Sequence, residues 1–398
     1  MSRSVKILLT GFIAAVLAAC GNSPTTSTTN NTPIVIGCAC ALTGGYSAYD
    51  LGIIAAAKIE IANLNSHGGI LGRQVQLVTA DTKSDRAQGP QAALTVLGQG
   101  AKLVITQCDF DFGSPAALVA LAHNVPAFSC ASSPKFGVQD IGALAFSINF
   151  ASNEEGAVAA EYPYKTLGYK SVYILTDTTI AYSKDLSTNF KQRWTALAGA
   201  NSVLGDDTFQ NGDPSIDAQI TRIKSLSTKP DFIFLSSYLP GGVSAVRQIR
   251  AAGLNTPIVT GQAMDDRSWL NAVPNLSDFY AVDYASFYGD DSRPEINSFF
   301  ATYQQQTGNP APNAYPVMGY SMVQLFALAA EKAGTIDGAA VGKALESGTT
   351  FNLLAGPTVF SPDLHINDKR PMTIMTIKAG KPAFVTQYTP ESVPAPIF

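Results

Sequence analysis

One stretch, from Ile34 to Gly72, constrains the fold of this chain more than any other. It opens with the β-branched apolar run Ile34-Val35-Ile36, which is typical of a strand buried on both faces. Gly44 and Gly45 follow and predict a sharp turn whose backbone amides stay free to meet a ligand. From residue 50 to 65, apolar side chains recur at helical spacing. The stretch therefore reads as strand, turn and helix, the unit of an open parallel sheet, whose strand ends form the usual ligand site.

The remainder of the chain repeats this unit. Strands are predicted at 74–80, 102–106, 125–129 and 144–148, and helices lie between them. After 149–153 the rhythm restarts, with strands at 171–175, 203–208, 231–235 and 257–260, and the apolar, aromatic run 279–284 is expected to lead back to the first lobe. Ser114, followed by Pro115, is expected to cap the helix at 114–123. Long helices at 293–306 and 315–333 precede antiparallel strands at 358–360, 372–377 and 383–387. The pattern predicts an α/β fold with two doubly wound parallel-sheet lobes.

Length and charge restrict the class of protein. The 398 residues suit two domains, and a hydrophobic content of 46% can supply two cores. The net charge is −4, only 14% of residues are charged, and no Lys/Arg cluster occurs. A nucleic-acid-binding protein would usually carry a basic face, so we expect no nucleic-acid partner.

The N-terminus has the features of an export signal. Arg3 and Lys6 form a positive segment, and residues 7–17 are apolar but too few to span a bilayer. The segment ends in Leu17-Ala18-Ala19-Cys20, which resembles a bacterial lipobox. By that resemblance residues 1–20 are a lipoprotein signal peptide, and Cys20 is lipidated and anchors the protein to a membrane. A plain secretory signal with an incidental cysteine is the alternative. Residues 21–32 form a polar, flexible linker.

Four further cysteines each lie at or just past the end of an apolar run: Cys38, Cys40, Cys108 and Cys130. In a parallel sheet all four would gather at one edge. Disulfides, which an exported compartment permits, and free buried thiols both remain open. A thiolate metal site is disfavoured, because no close Cys-x-x-Cys spacing or supporting histidine is present. We expect neither a metal nor a cofactor.

Several segments, taken together, resemble a known family. They are IGCACALTGG with the helix that ends in NLNSHGGILGR, VPAFSCASSP, IRAAGLNTPIVTG and YPVMGYSMVQLFALAAEKAG. These segments are similar to those of ABC-transporter solute-binding proteins of the branched-chain amino-acid (Leu/Ile/Val) type, with the periplasmic-binding-protein type I fold. The resemblance implies two lobes joined by a three-crossing hinge: residues 33–150 and 286–356 form lobe 1, and residues 151–285 and 357–398 form lobe 2. It also implies an extracytoplasmic, monomeric protein that closes on a small-molecule ligand and presents it to an ABC permease.

The resemblance places ligand-binding positions in both lobes. Carried over residue by residue, they are Tyr49, Asp109, Phe110, Asp111, Phe112, Ala131, Ser132, Ser133, Tyr182, Tyr238 and Gln262. Gln262 stands where the family has the acid that pairs with the ligand ammonium, so the countercharge for an α-amino acid is missing. Asp109 and Asp111 would repel a ligand carboxylate unless they are protonated or paired.

These departures favour an aromatic or alicyclic ligand over a standard α-amino acid. An amino acid remains the alternative if Asp265 or Asp266 supplies the missing charge. The neighbouring pair Glu154 and Glu155 is expected to be exposed at a helix end.

An enzyme is not expected. His67, His123 and His365 lie in no catalytic motif, and no nucleophile elbow, metalloprotease or phosphate-binding motif occurs. A ligand sensor or receptor that uses the same two-lobed clamp remains a further alternative.

Overall fold

The computed structural model describes residue 1, residues 32–367 and residues 370–398. The predicted signal peptide with its lipidation residue Cys20, and the linker up to residue 31, lie outside the described residues. Among the helices that are described, none is both long and apolar enough to cross a membrane.

The described chain alternates strands and helices. The helices are α1 (Ser47–Ser66), α2 (Gly89–Gly98), α3 (Phe110–Ala122), α4 (Ser152–Tyr162), α5 (Ala181–Ala198), α6 (Asp217–Ser225), α7 (Gly241–Ala251), α8 (Pro294–Thr307), α9 (Pro316–Ala333) and α10 (Gly338–Leu345). The strands are β1 (Ile34–Cys40), β2 (Val75–Asp81), β3 (Ala101–Thr106), β4 (Ala127–Ser129), β5 (Ala145–Ser147), β6 (Val172–Asp177), β7 (Val203–Phe209), β8 (Phe232–Ser236), β9 (Ile258–Thr260), β10 (Phe279–Asp283), β11 (Phe351–Leu353), β12 (Gly356–Thr358), β13 (Met372–Lys378) and β14 (Lys381–Tyr388).

The first lobe is built on a five-stranded parallel sheet in the order β2-β1-β3-β4-β5. All seven residues of β1 are buried, because helices cover both faces of the sheet. On one face α1 packs against α9. There the helices approach closely, and a Cβ at Gly319 would overlap the backbone carbonyl of Ile53. The carboxyl ends of β1, β3 and β4 therefore meet at one edge of a rigid scaffold.

The second lobe contains a seven-stranded sheet in the order β14-β13-β10-β9-β8-β6-β7. Five strands run parallel, whereas β13 and β14 are antiparallel to their neighbours. Thus the predicted α/β architecture with parallel-sheet lobes is confirmed, and the antiparallel tail joins the second sheet as its edge. A short hairpin of β11 and β12 stands apart from both sheets.

The chain crosses between the lobes three times. It leaves the first sheet after β5, returns after β10 to form α8 and α9 beside α1, and enters the second sheet again at β13. This order agrees with a three-crossing hinge. The lobe boundaries at residues 150, 285 and 356 stay a prediction.

The start of α3 differs from the expectation. Ser114 does not cap it: the helix begins at Phe110, and Asp109 is the cap, with extended backbone and a carboxylate that accepts from the Phe112 amide. Pro115 lies inside the helix, and the Ser114 hydroxyl donates to the Phe110 carbonyl. The prediction from Ser114 and Pro115 was wrong because Asp109, five residues before Ser114, is an equally strong cap and starts a longer helix.

Candidate functional site

The first lobe contributes three segments at the carboxyl edge of its sheet. The start of α1 provides Tyr46 and Tyr49. The loop after β3 provides residues 108–110, and the loop after β4 provides Cys130, Ser132 and Ser133. Tyr315, just before α9, completes this side. Because the parallel register aligns β1, β3 and β4, segments distant in sequence share one wall.

The second lobe faces this wall with the starts of its own loops and helices. Ile180 and Tyr182 lie at the start of α5, Tyr238 follows β8, and Gln262 and Ala263 follow β9. Gly261 brings the chain close enough for this, since a Cβ at that position would overlap the Glu155 carboxylate and the Tyr182 hydroxyl.

A pocket lies between the two walls, which stand close together and leave a cavity of about 20 Å³, room for about one water molecule. Most of the positions carried over from the resemblance line it: Tyr49, Asp109, Phe110, Ser132, Ser133, Tyr182, Tyr238 and Gln262. Sequence reasoning named the lining residues Cys108 and Cys130 only as candidate disulfide partners, and it missed Tyr46, Ile180, Ala263 and Tyr315. Tyr46 and Tyr315 precede long helices in segments that were already singled out, so the start of each helix was the available signal.

Three of the expected ligand-binding residues lie outside the pocket wall. Asp111 turns to the α5 backbone, where it accepts from the Ala181 amide at 2.7 Å, and it pairs with Arg86 at 3.5 Å. Phe112 packs against the Tyr46 ring, with 4.4 Å between centroids. Ala131 is buried in the core on the α2 and α3 side of the sheet. These residues support the wall from behind.

Hydrogen bonds join the two walls directly. The Tyr49 hydroxyl donates to the Ala263 carbonyl at 3.1 Å and accepts from the Leu239 amide at 2.9 Å. The Gln262 side-chain amide donates to the Ser132 hydroxyl. Ser132 also accepts from Asn149 Nδ2 at 2.7 Å. Both lobes are thus held in one arrangement by polar contacts through the pocket.

Asp109 is the carboxylate of the pocket wall, and its pKa is raised. It is only 4% exposed, and burial, followed by the charge of Asp111, raises its pKa to about 7. Its Oδ1 atom accepts from the Phe112 amide at 3.1 Å, which places a negative charge at the positive end of the α3 dipole. That position therefore holds a protein carboxylate that titrates near neutral pH.

Glu155 corrects an expectation. Both Glu154 and Glu155 are fully buried, whereas the sequence suggested an exposed pair. Glu155 Oε1 accepts from the Tyr182 hydroxyl and from the backbone N–H of Gln262, each at 2.9 Å. Burial raises the pKa of Glu155 to about 8. The expectation failed because α4 begins at a crossing between the lobes. There its first turn packs against α5 and the segment after β9 and lies away from solvent.

Asp265 and Asp266 do not reach the pocket wall. Asp266 caps the turn that begins at Arg267 and accepts from Asn313 Nδ2 at 2.9 Å. Asp265 is buried near Tyr288, at 3.5 Å from its hydroxyl. Neither aspartate supplies the countercharge that an α-ammonium group would require at Gln262.

The four body cysteines gather at one edge of the first sheet, and the structure joins them in pairs. Cys38 is bonded to Cys40 within β1, and Cys108 is bonded to Cys130 across the loops after β3 and β4. Because Cys108 and Cys130 line the pocket, their bond ties together the two first-lobe loops that form its wall. Within the described part of the chain, no group of three His, Cys, Asp or Glu side chains could hold a metal ion.

Comparison with known proteins places this architecture in a family. A family model described as "Periplasmic binding protein" matches residues 33–382, which is nearly all of the described chain. The chain belongs to the periplasmic binding protein family.

Individual relatives of this periplasmic binding protein are distant in sequence but match it over most of their length. The Leu/Ile/Val-binding protein BraC3 of Rhizobium johnstonii is 27% identical over 338 residues, which are 82% of this chain and 87% of that one. The solved structure of LivJ from Streptococcus pneumoniae in complex with isoleucine has a TM-score of 0.79 and 23% identity, and covers 90% of this chain and 100% of its own. The structure of a solute-binding protein of Rhodopseudomonas palustris in complex with benzoate has a TM-score of 0.76 and 19% identity. The match covers 92% of this chain and 99% of that one.

Membership in the family settles the broad function. This periplasmic binding protein is a solute-binding component of ABC transporters and works outside the cytoplasm together with a membrane permease. Like its relatives, it is a substrate-binding protein of a transporter and not an enzyme. Its type I fold is confirmed by the solved structures.

Proposed function

We propose that this protein captures a small organic ligand in the pocket between its lobes, closes on it by hinge motion, and delivers it to the permease of an ABC importer. The observation that supports this most directly is the composition of the pocket wall, to which both lobes contribute. Ligand contacts on both walls favour the closed arrangement, and only such differential contacts can shift the equilibrium between open and closed forms.

The ligand we propose is an aromatic or alicyclic compound and not a standard α-amino acid. Five tyrosines line the pocket: Tyr46, Tyr49, Tyr182, Tyr238 and Tyr315. The second lobe offers the neutral amide of Gln262. Beneath it lies Glu155, whose Oε1 accepts from Tyr182 and from the Gln262 backbone, and burial raises the pKa of this carboxyl group to about 8, so it carries little charge at neutral pH. An α-ammonium group buried there would lack a countercharge, at a cost of several kcal/mol. The benzoate-bound relative of this fold is consistent with an aromatic ligand.

A branched-chain or other amino acid is the second candidate. Its support is the naming of the curated relatives as Leu/Ile/Val-binding proteins. A thermal-shift screen of amino acids, aromatic acids, alicyclic acids, amines and polyols distinguishes the candidates. We expect no stabilisation by leucine and clear stabilisation by at least one cyclic compound. Tight binding of leucine would overturn the first candidate.

Closure itself is tested by small-angle scattering on the full chain with and without a compound that raises the melting temperature. We expect a smaller radius of gyration at saturation, and an unchanged radius would contradict the hinge mechanism. A receptor role would instead require a partner other than the permease, which a pull-down from membranes with the ligand-loaded protein would detect.

Anchoring through Cys20 and a monomeric state complete the proposal. The lipobox-like sequence supports the anchor, which would keep the body close to the permease. We expect the protein to fractionate with membranes and a Cys20→Ser variant to be released. Light scattering of the released Cys20→Ser variant should give the mass of one chain.

A further inference from the structure

The charges on the pocket wall have one sign. Among the described residues that line it, Asp109 is the single carboxylate, and no lysine, arginine or histidine is present. Two cations lie outside the wall and are paired there: Arg86 pairs with Asp111 at 3.5 Å and stacks over the Phe112 ring at 4.9 Å, and Lys135 pairs with Asp185 at 4.0 Å. An anionic ligand would therefore meet a carboxylate with no opposing charge on the wall.

Asp109 also occupies the place where an anion would otherwise bind. The N-terminus of α3 presents free backbone amides, which commonly bind carboxylates and phosphates. Here the Asp109 side chain already accepts from the Phe112 amide at 3.1 Å. A ligand carboxylate at this helix end would have to displace the protein's own carboxylate or lie beside it.

The aromatic side chains around Asp109 favour a cation. The Tyr46 ring lies 5.7 Å from the Tyr238 ring and 5.7 Å from the Tyr49 ring, measured between centroids. Burial raises the pKa of the Tyr46 and Tyr238 hydroxyls, and the nearby charge of Asp109 raises both further. Aromatic faces carry partial negative charge, and cages of such rings recognise alkylammonium groups.

Two buried polar atoms of the wall have no hydrogen-bond partner within the described chain. They are the hydroxyl of Tyr46 and Oε1 of Gln262, in side chains that are 7% and 2% exposed. Both can accept a hydrogen bond, and Gln262 Oε1 can only accept. A ligand that donates hydrogen bonds would satisfy them, and an ammonium group beside Tyr46 is such a donor.

We infer that the ligand carries an ammonium group, which sits beside Asp109 among the rings of Tyr46, Tyr49 and Tyr238. This inference rests on the proposed function and sharpens it: the preferred ligand is an organic amine with a cyclic body. It reverses the polarity that the family resemblance implies, since the cationic group of the ligand points to the first-lobe loops and not to the second lobe.

The inference predicts how affinity changes with pH. Asp109 titrates with a pKa of about 7, so its charge increases as the pH rises through neutrality. The groups facing it are Asp111, Arg86, Tyr46, Tyr49, Tyr238 and the buried Asp50, whose pKa burial also raises to about 7. From about pH 6 to about pH 8, affinity for a permanently protonated amine should rise about tenfold, because the ionised fraction of Asp109 rises by that factor. Affinity for a carboxylate should fall over the same range.

Titration calorimetry with benzylamine, benzyl alcohol and benzoate tests the preference for an ammonium group. The three compounds share a phenyl ring and are cationic, neutral and anionic. Benzylamine stays protonated over this range, as alkylammonium groups such as that of lysine do. We expect benzylamine to bind about tenfold or more tightly than the other two compounds. Asp109→Asn should remove this preference and the pH dependence, while asparagine preserves the helix cap. Asp206→Asn, an exposed aspartate on β7 that pairs with Lys191, is the matched control.

Stronger binding of benzoate, or an unchanged preference in Asp109→Asn, would overturn the inference. If none of the three compounds binds while a compound without an amino group compacts the protein in scattering, the ammonium inference fails and the proposed function stands. If no compound from the wider screen compacts the protein, both fail. Asp50→Asn, measured in parallel, separates the titration of Asp50 from that of Asp109: the inference requires that the pH dependence survive in Asp50→Asn.

Discussion

The hydroxyl group of Tyr49 in the first lobe is hydrogen-bonded to Ala263 in the second, donating to its carbonyl oxygen at 3.1 Å. The same hydroxyl accepts from the Leu239 amide at 2.9 Å. One side chain of α1 therefore contacts both second-lobe loops that border the pocket. It links the position of the lobes to the geometry of the ligand site.

Tyr49→Phe should weaken ligand affinity while preserving the fold. The variant loses two hydrogen bonds that the closed arrangement makes, at about 1 kcal/mol each, so affinity should fall by about 5- to 30-fold. Isothermal titration with a compound found in the screen measures this. Tyr303→Phe is the control, since Tyr303 is buried in α8 away from the pocket. An equal loss of affinity in both variants would show that Tyr49 has no special role in closure.

Glu155→Gln should stabilise the protein at slightly alkaline pH. The pKa of Glu155 is raised by burial from its usual 4.5 to about 8. Below pH 4.5 the carboxyl is protonated in both folded and unfolded chains, so it makes no difference to stability there. As the pH rises towards 8, the unfolded chain ionises freely and the folded chain does not. The free energy of unfolding therefore falls, by an amount on the order of a few kcal/mol.

Melting temperatures of wild type and Glu155→Gln at several pH values check this. The curves should converge near pH 4.5 and separate with the variant higher at pH 8. Glu295→Gln, on the exposed side of α8, serves as the control and should follow the wild type. A variant that melts lower than wild type at pH 8 would mean that the charged form of Glu155 is needed for the fold.

The Cys108–Cys130 bond should contribute more to stability than the Cys38–Cys40 bond. It closes a loop with a separation of 22 residues, whereas the other bond joins residues only two apart. Chain-entropy reasoning gives about 3 kcal/mol for the longer loop and roughly half that for the shorter one. The double variants Cys108→Ala/Cys130→Ala and Cys38→Ala/Cys40→Ala, compared by urea unfolding, test the order. Thiol titration of the unfolded wild type should find reactive cysteines only after reduction.

Gln262→Glu should convert the pocket towards amino acids. Gln262 lies 2% exposed at the site where the family resemblance implies an acid, and its side chain reaches Ser132 across the pocket. A carboxylate there supplies the countercharge for an α-ammonium group, so leucine affinity should rise by about tenfold or more. Gln305→Glu, on the exposed side of α8, controls for the added charge. Wild-type protein that already binds leucine tightly would remove the basis of this prediction.

Periodicity sufficed to predict most strands and helices to within a few residues, because the buried strands are short apolar runs and the helices are bounded by caps and glycines. Gly253 and Gly334 follow α7 and α9 with positive φ angles, as their positions suggested. Helix α10 was missed, since Gly338 and Gly342 weaken its helical signal. Its Asp337 cap, which accepts from the Ala340 amide at 3.0 Å, was the overlooked start signal.

Part of the pocket wall could be predicted from the family resemblance and not from periodicity. Tyr182, Tyr238 and Gln262 could be located by family resemblance, but their partners depend on contacts between the lobes. The contact of Glu155 with Tyr182 spans 27 residues, and that of Tyr49 with Ala263 spans 214. No local pattern encodes such pairs, which is why Glu155 seemed exposed and Tyr46 went unnoticed.

The antiparallel strands at the edge of the second sheet affect how the chain can be made. Strand β13 pairs with β10 from Phe279 to Asp283, and β14 covers β13 in turn. A chain delivered from its N-terminus exposes the β13-facing edge of β10 until residues 372–388 have emerged. The second lobe therefore completes its sheet only at the end of synthesis or translocation, and truncation before residue 372 should leave an unpaired, aggregation-prone edge strand.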